Sequence, residues 1–222
     1  MNIDKKYYQE INENLTNTIQ DTNIDAPNKK TGKVRDAYFL DDRVVMISTD
    51  RQSAFDRVLA AIPYKGAVLN SVSAWWFKQT EHLFPNHLIS TPDPNVSIVE
   101  KCTVFPVEFV VRGYITGTTD TSLWTVYNKG DREYCGNTLP EVLKKNDKLT
   151  TPMLTPTTKD KVHDRPVSRE EIIDLGLMSA EDYDVAAKMS LDLFSFGQET
   201  AKKNGLILVD TKYEIGTDSS GK

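Results

Sequence analysis

The chain has little cysteine, little histidine and no apolar run of membrane-spanning length. Its two cysteines among 222 residues, Cys102 and Cys135, stand far apart and share no paired spacing. That excludes a disulfide framework and the CxxC pairs of structural zinc sites. Cys102 sits in an apolar run and reads as a small core residue. His82 and His87 flank a helix end without metal-ligand spacing. The stretch Met1 to Lys6 carries no apolar core of a secretory leader, and no segment approaches the length of a membrane span. A reducing, cytoplasmic setting is the natural expectation. Clustered positive charge is also lacking. Lys and Arg total 27 against 32 Asp and Glu, a net charge of −5. An extended nucleic-acid surface is therefore not expected, whereas a small anion in a local basic pocket remains open. There is no Walker A spacing, no internal repeat and no low-complexity tract.

What is present is a mixed pattern of strands and helices without strict βαβ alternation, which predicts an α+β fold. Ile3, Tyr7, Ile11, Leu15 and Ile19 recur at every fourth position and predict a leading helix capped by Asp4. Lys33 to Leu40 and Arg43 to Thr49 read as two strands of a hairpin turning at Asp41-Asp42. Val68 to Phe84 reads as a helix, with Trp75, Trp76 and Phe77 supplying bulk to pack on a sheet. Ile98 to Val104 and Val107 to Arg112 read as strands separated by Pro106. Residues 113–165 are the least regular stretch. A short helix fits around Ser122 to Tyr127, and Thr150 to Thr158 reads as loop. Ser168-Arg169-Glu170-Glu171 is a capping-box pattern, and Ser179 opens a long helix that stops near Asn204-Gly205. Leu206 to Ile215 reads as the last strand.

Four segments could carry chemistry. Val110-Val111-Arg112-Gly113-Tyr114-Ile115-Thr116-Gly117-Thr118 is an apolar run ending in a cation, two glycines and hydroxyls. A strand that delivers a guanidinium to its end and turns through glycine can build an anion pocket, and a surface arginine before a loop gives the same pattern. In the last strand, alternation puts Asp210, Lys212 and Glu214 on one face and Thr211, Tyr213 and Ile215 on the other. Acid, lysine and acid in line suit a nucleotide–metal site, and equally a solvated strand face. Gly32-Lys33-Val34-Arg35-Asp36 could cover phosphates with Lys33 and Arg35, or be a plain turn. Asp50-Arg51-Gln52-Ser53-Ala54-Phe55-Asp56 follows a buried strand end, where ligands gather.

Taken together, these segments resemble the phosphoribosylaminoimidazole-succinocarboxamide synthase family, the SAICAR synthetases. The resemblance is carried by Gly32 to Asp36, Thr49 to Asp56, Lys65-Gly66, Val110 to Gly117, Thr155-Pro156-Thr157-Thr158-Lys159 and Asp210-Thr211-Lys212-Tyr213-Glu214, in the family's order. It implies an ATP- and magnesium-dependent ligase of de novo purine biosynthesis. The substrates would be carboxyaminoimidazole ribonucleotide and L-aspartate, joined through an acyl phosphate. The implied architecture is two lobes. A β-rich N-terminal lobe with a leading helix, residues 1–92, would lie over a mixed α/β lobe, residues 93–222, with an ATP-grasp- or kinase-like cleft between them. Lys33, Arg35, Lys212 and Glu214 match ATP-phosphate positions, and Glu214 matches a magnesium carboxylate. Lys212 and Asp210 match the positions closest to the chemistry. Arg112 matches the holder of the ribonucleotide phosphate, with Thr118 beside it, and Asp50, Ser53 and Asp56 lie in the substrate block. His163 and Asp164 match a loop pair near the active site. A kinase-type phosphotransferase is disfavoured, because its catalytic-loop signature is absent. The family pattern continues beyond a late strand, whereas this sequence ends at Thr217 to Lys222. A truncated second lobe with little ligase turnover, or a non-catalytic nucleotide-binding fragment, is therefore also expected. Monomer and homo-oligomer both remain open.

Overall fold

The structure is a computed structural model describing residues 5–54, 57–159 and 164–221. The fold is α+β, and the chain divides into two compact units, Met1–Cys102 and Thr103–Lys222.

The first unit opens with helix α1 (Lys5–Glu13) and continues through strands β1 (Lys29–Thr31), β2 (Arg35–Phe39), β3 (Arg43–Ser48), β4 (Arg51–Ala54) and β5 (Arg57–Ala61). Helix α2 (Lys65–Thr80) and strands β6 (Leu88–Asp93) and β7 (Val96–Glu100) complete it. One antiparallel sheet runs in the order β1-β2-β3-β7-β6, and β4 and β5 form a separate hairpin. The β2–β3 hairpin turns at Asp41-Asp42 as its sequence predicts. Alternation along β2 buries Asp36 and Tyr38, while β3 buries Val44 and Ile47 on opposite faces of the sheet. Three expectations are corrected. The leading helix ends at Glu13 rather than running to Ile19, because the Ile19 backbone is bonded into the strand region: its N–H donates to Asp50 Oδ2 at 2.8 Å. Strand β2 begins at Arg35, because Gly32 to Arg35 closes a tight turn with Gly32 N–H donating to the Arg35 carbonyl at 2.8 Å. Helix α2 buries Gly66 and Asn70, while Trp75 faces outward. Gly66 is required where it stands. A Cβ there would lie 2.3 Å from the Ser48 carbonyl oxygen.

The second unit is built on the long strand β8 (Thr103–Tyr114), followed by helix α3 (Leu123–Asn128), the short hairpin β9 (Glu133–Tyr134) and β10 (Asn137–Thr138), and strands β11 (Lys148–Leu154) and β12 (Thr157–Thr158). Helices α4 (Arg169–Asp174) and α5 (Ala180–Lys203) and strand β13 (Asp210–Thr217) follow. Strands β11 and β12 follow one another along one edge of β8, and β13 lines the other, all antiparallel. The odd-numbered residues of β8, Val107, Phe109 and Val111, are fully buried. Val107 and Phe109 pack with Val167, Ile172, Met178, Tyr183 and Ala186 from α4, α5 and their approaches, with Tyr213 and Ile215 of β13 at the margin. Each such side chain contributes about 1.5–3 kcal/mol on leaving water. The even-numbered residues are thereby turned to the opposite, polar face.

The capping box at Ser168 is formed, with Glu171 N–H donating to Ser168 Oγ and Ser168 N–H to Glu171 Oε2. Ser179 caps α5, which ends at Asn204-Gly205. Other expectations differ. Thr150 to Thr158 is mostly strand, because its backbone pairs with β8 despite its turn-rich composition. Pro106 does not divide two strands but lies inside β8. It is tolerated because the β13 register shifts between Glu214 and Gly216, alongside the proline. The last strand starts at Asp210 rather than Leu206, and Leu206 and Ile207 are exposed loop residues. Among the described residues, no helix is long and apolar enough to cross a membrane.

Candidate functional site

The polar face of the β8 sheet gathers four of the expected site residues. Register sets Asp210 opposite Arg112, Lys212 opposite Val110 and Glu214 opposite Glu108. On β13, Asp210, Lys212 and Glu214 are exposed while Thr211, Tyr213 and Ile215 are half-buried, so the alternation read from sequence holds. Arg112 is oriented by Thr155, whose Oγ1 accepts from Arg112 Nε at 2.9 Å. Its Nη2 reaches the Thr121 carbonyl at 3.4 Å, in the loop that follows β8. That carbonyl also accepts from the Tyr134 hydroxyl at 2.7 Å. Thr118 is exposed in the same loop. The loop turns at Gly117, which has φ of 103° and whose added Cβ would sit 2.4 Å from Ser122 Cβ.

Further along the face, cations and carboxylates alternate. Lys212 Nζ donates to Glu108 Oε1 at 2.7 Å, and Thr157 Oγ1 donates to Glu108 Oε2 at 3.3 Å. Lys159 Nζ pairs with Glu214 Oε1 at 2.9 Å. Two carboxylates directly opposite on neighbouring strands repel. Here each is matched by its own lysine. Glu108 is only 6% exposed. Glu108 is not among the residues singled out in sequence, and Lys159 enters there only as the end of the Thr155 to Lys159 block. The signal for Glu108 was available: it is the one acid in Val104 to Val111, and its even spacing from Arg112 puts both on one face.

The other expected residues that are described belong to other segments. Lys33 and Arg35 are exposed at the β1–β2 turn of the first unit. That turn is fastened from below. Arg51 donates from Nε to the Lys33 carbonyl at 3.3 Å and from Nη2 to the Gly32 carbonyl at 3.0 Å. Thr49 Oγ1 donates to the Val34 carbonyl at 2.8 Å. Arg51 is itself held by Asp36 at 2.7 Å. Asp36 is fully buried and also accepts from Thr22 and Lys29. Burial alone would raise its pKa, but the hydrogen bonds from Arg51, Thr22 and Lys29 outweigh it and hold the carboxyl below its ordinary value. Asp50 is buried and spends its carboxylate on backbone, accepting from Ile19 N–H at 2.8 Å and Gly66 N–H at 2.9 Å. Ser53 is half-buried in β4 opposite Val58. Asp164 is exposed. Asp56 and His163 lie outside the described residues.

Fold and site together define an α+β protein with one sheet face buried under helices and the other carrying alternating, hydrogen-bonded charges. The chain belongs to the SAICAR synthetase family, whose family model matches residues 28–222. It is similar to the phosphoribosylaminoimidazole-succinocarboxamide synthase of Legionella pneumophila (strain Lens), 58% identical over 204 residues, covering 92% of this chain and 65% of that protein. The chloroplastic synthase of Arabidopsis thaliana is 57% identical over 216 residues, covering 95% of this chain and 53% of that protein. Among solved structures, SAICAR-synthase from Saccharomyces cerevisiae complexed with SAICAR aligns with a TM-score of 0.78 at 31% identity, covering 91% of this chain and 73% of that one. A type-2 SAICAR synthetase in complex with ADP aligns with a TM-score of 0.71 at 26% identity, covering 88% of this chain and 77% of that one. The chain thus spans about 65% of the length of the Legionella relative.

Proposed function

We propose that this chain acts as an ATP-dependent ligase joining L-aspartate to carboxyaminoimidazole ribonucleotide, forming SAICAR. The observation that carries the reading is the convergence of Arg112, Lys212 and Glu214 on one sheet face, in a member of this family. The relatives solved with SAICAR and with ADP support a ribonucleotide and an adenine nucleotide as its ligands. As part of the same reading, the two units correspond to the β-rich and mixed lobes of an ATP-grasp-like enzyme.

The substrate carboxylate attacks the γ-phosphoryl group, the bond to the β-bridging oxygen breaks, and an acyl phosphate and ADP result. The aspartate amine then attacks the acyl carbon, loses a proton, and expels phosphate. Such chemistry asks the protein for positioning and charge neutralisation. Arg112, with its guanidinium aimed by Thr155, would hold the ribonucleotide phosphate, and Thr118 would add a hydroxyl. Lys212 would neutralise phosphate charge on ATP, the role also proposed for Lys33 and Arg35. Asp210, facing the same side, would orient the reacting groups. Ser53, with Asp56, Asp164 and His163, completes the proposed substrate contacts, whereas Asp50, expected among them, is buried with both carboxylate oxygens committed to the Ile19 and Gly66 N–H groups.

Magnesium fits the donor set. Among the described residues, no three acidic, histidine or cysteine side chains form a closed cage. Magnesium bound with nucleotide needs only one or two carboxylates plus phosphate oxygens and water. Glu214 supplies one such carboxylate and already attracts a cation, Lys159. When bound, the metal supplies further neutralisation of phosphate charge.

The test is ADP release from ATP by the intact chain. ADP should form only when both aspartate and carboxyaminoimidazole ribonucleotide are present, matched by SAICAR. Nucleotide binding without that dual dependence would instead indicate a non-catalytic nucleotide module.

A further inference from the structure

Glu108 lies on the polar face of β8, the strand that β11, β12 and β13 all pair with. Lysine carries a compact charge on a flexible stem, and fixing it costs side-chain entropy. Lys212 stands on β13, with 48% of its side chain exposed. Its cross-strand neighbour is Val110, which offers it nothing polar. The ammonium instead leans along the sheet to Glu108 Oε1, away from Arg112 and toward Glu214. Glu108 cannot follow it outward, because its side chain is 8% exposed and Thr157 holds the other oxygen. The result is two separated cationic centres on one face: Arg112 with the Thr121 carbonyl at the loop end, and Lys212 at the end carrying Glu214.

We propose that Glu108 is a positioning residue that tethers Lys212 at the nucleotide end of the face and keeps it from the Arg112 end. This rests on the nucleotide reading of Lys212 given above. Glu108 decides which anion Lys212 serves. Without the tether the ammonium samples solvent and the Asp210–Arg112 end, and nucleotide binding weakens while ribonucleotide binding, carried by Arg112, is spared.

The test is a double-mutant cycle on the intact chain, Glu108→Gln and Lys212→Met, singly and together. ADP and carboxyaminoimidazole ribonucleotide affinities are measured by calorimetry. Glu108→Gln should weaken ADP about tenfold, the scale of one charge-assisted hydrogen bond, and leave the ribonucleotide within about twofold. In the Lys212→Met background the same substitution should have no further effect on ADP. Thermal melts guard against misfolding, and the double variant, which removes both charges, should melt closer to the parent than Lys212→Met alone, which leaves the buried Glu108 carboxylate without its lysine. Equal weakening of both ligands, or additive losses of ADP affinity, would overturn the tether and assign Glu108 a merely structural role. If Lys212→Met leaves ADP affinity unchanged, the nucleotide reading of this strand falls, and the tether with it.

Discussion

Asp36 shows how much one side chain organises. Fully buried, it anchors Arg51, which in turn donates to the carbonyls that shape the Lys33 turn. Replacing Asp36 with Asn strands a nearly buried guanidinium and should cost about 3–5 kcal/mol in urea denaturation. The pH sign follows from a folded pKa held below the ordinary 3.8. The stabilisation is complete above the unfolded value and is lost as pH falls through the folded one. Acid unfolding monitored by fluorescence should therefore begin below about pH 4 and be less steep in Asp36→Asn. Cys135 makes a different case. Burial pushes its thiol up to about 12. It should alkylate at least about tenfold more slowly in the native chain than in urea at pH 8, as read by mass spectrometry. In the sequence neither residue stands out as a buried ionisable group. Asp36 looked like one more charge in a basic turn, because burial depends on partners, Thr22 and Arg51, at distant positions.

At the scale of elements, legibility followed the local signals. Ser168 and Ser179 announced their helices because capping is written within four residues. Ser168→Ala should cost roughly 1 kcal/mol of stability in a chemical melt. The β2–β3 hairpin and the two faces of β13 were readable because period-two alternation is local too. The misreadings came where tertiary pairing overrides composition. Thr150 to Thr158 holds two prolines and five threonines yet pairs along β8, and Pro106 fits inside a strand because a register shift lies alongside it. The loop after β8 depends on Gly117, whose backbone conformation and closeness to Ser122 leave no room for a side chain. Gly117→Ala should shift the loop bearing Thr118 and weaken ribonucleotide binding roughly tenfold, with ADP affinity nearly unchanged, by calorimetry. A parallel loss of ADP affinity would count against that loop serving the ribonucleotide alone.

For the whole molecule, the candidate site was legible in part. Arg112, Asp210, Lys212 and Glu214 are legible from patterns around single strands, and antiparallel register brings them onto one face. The face of Glu108 is legible in its even spacing from Arg112, but its partners are not, because they depend on where β13 and β12 fall against β8. Pairings across about a hundred residues leave no mark in either segment alone. The proposed division of labour on this face, Arg112 for the ribonucleotide phosphate and Lys212 for ATP, is the central claim. It is tested most directly by titrating the intact chain and its Arg112→Ala variant with carboxyaminoimidazole ribonucleotide and with ADP. The account predicts a loss of roughly 10- to 100-fold for the ribonucleotide and less than about twofold for ADP. Equal losses for both ligands, or an unchanged ribonucleotide affinity, would contradict it.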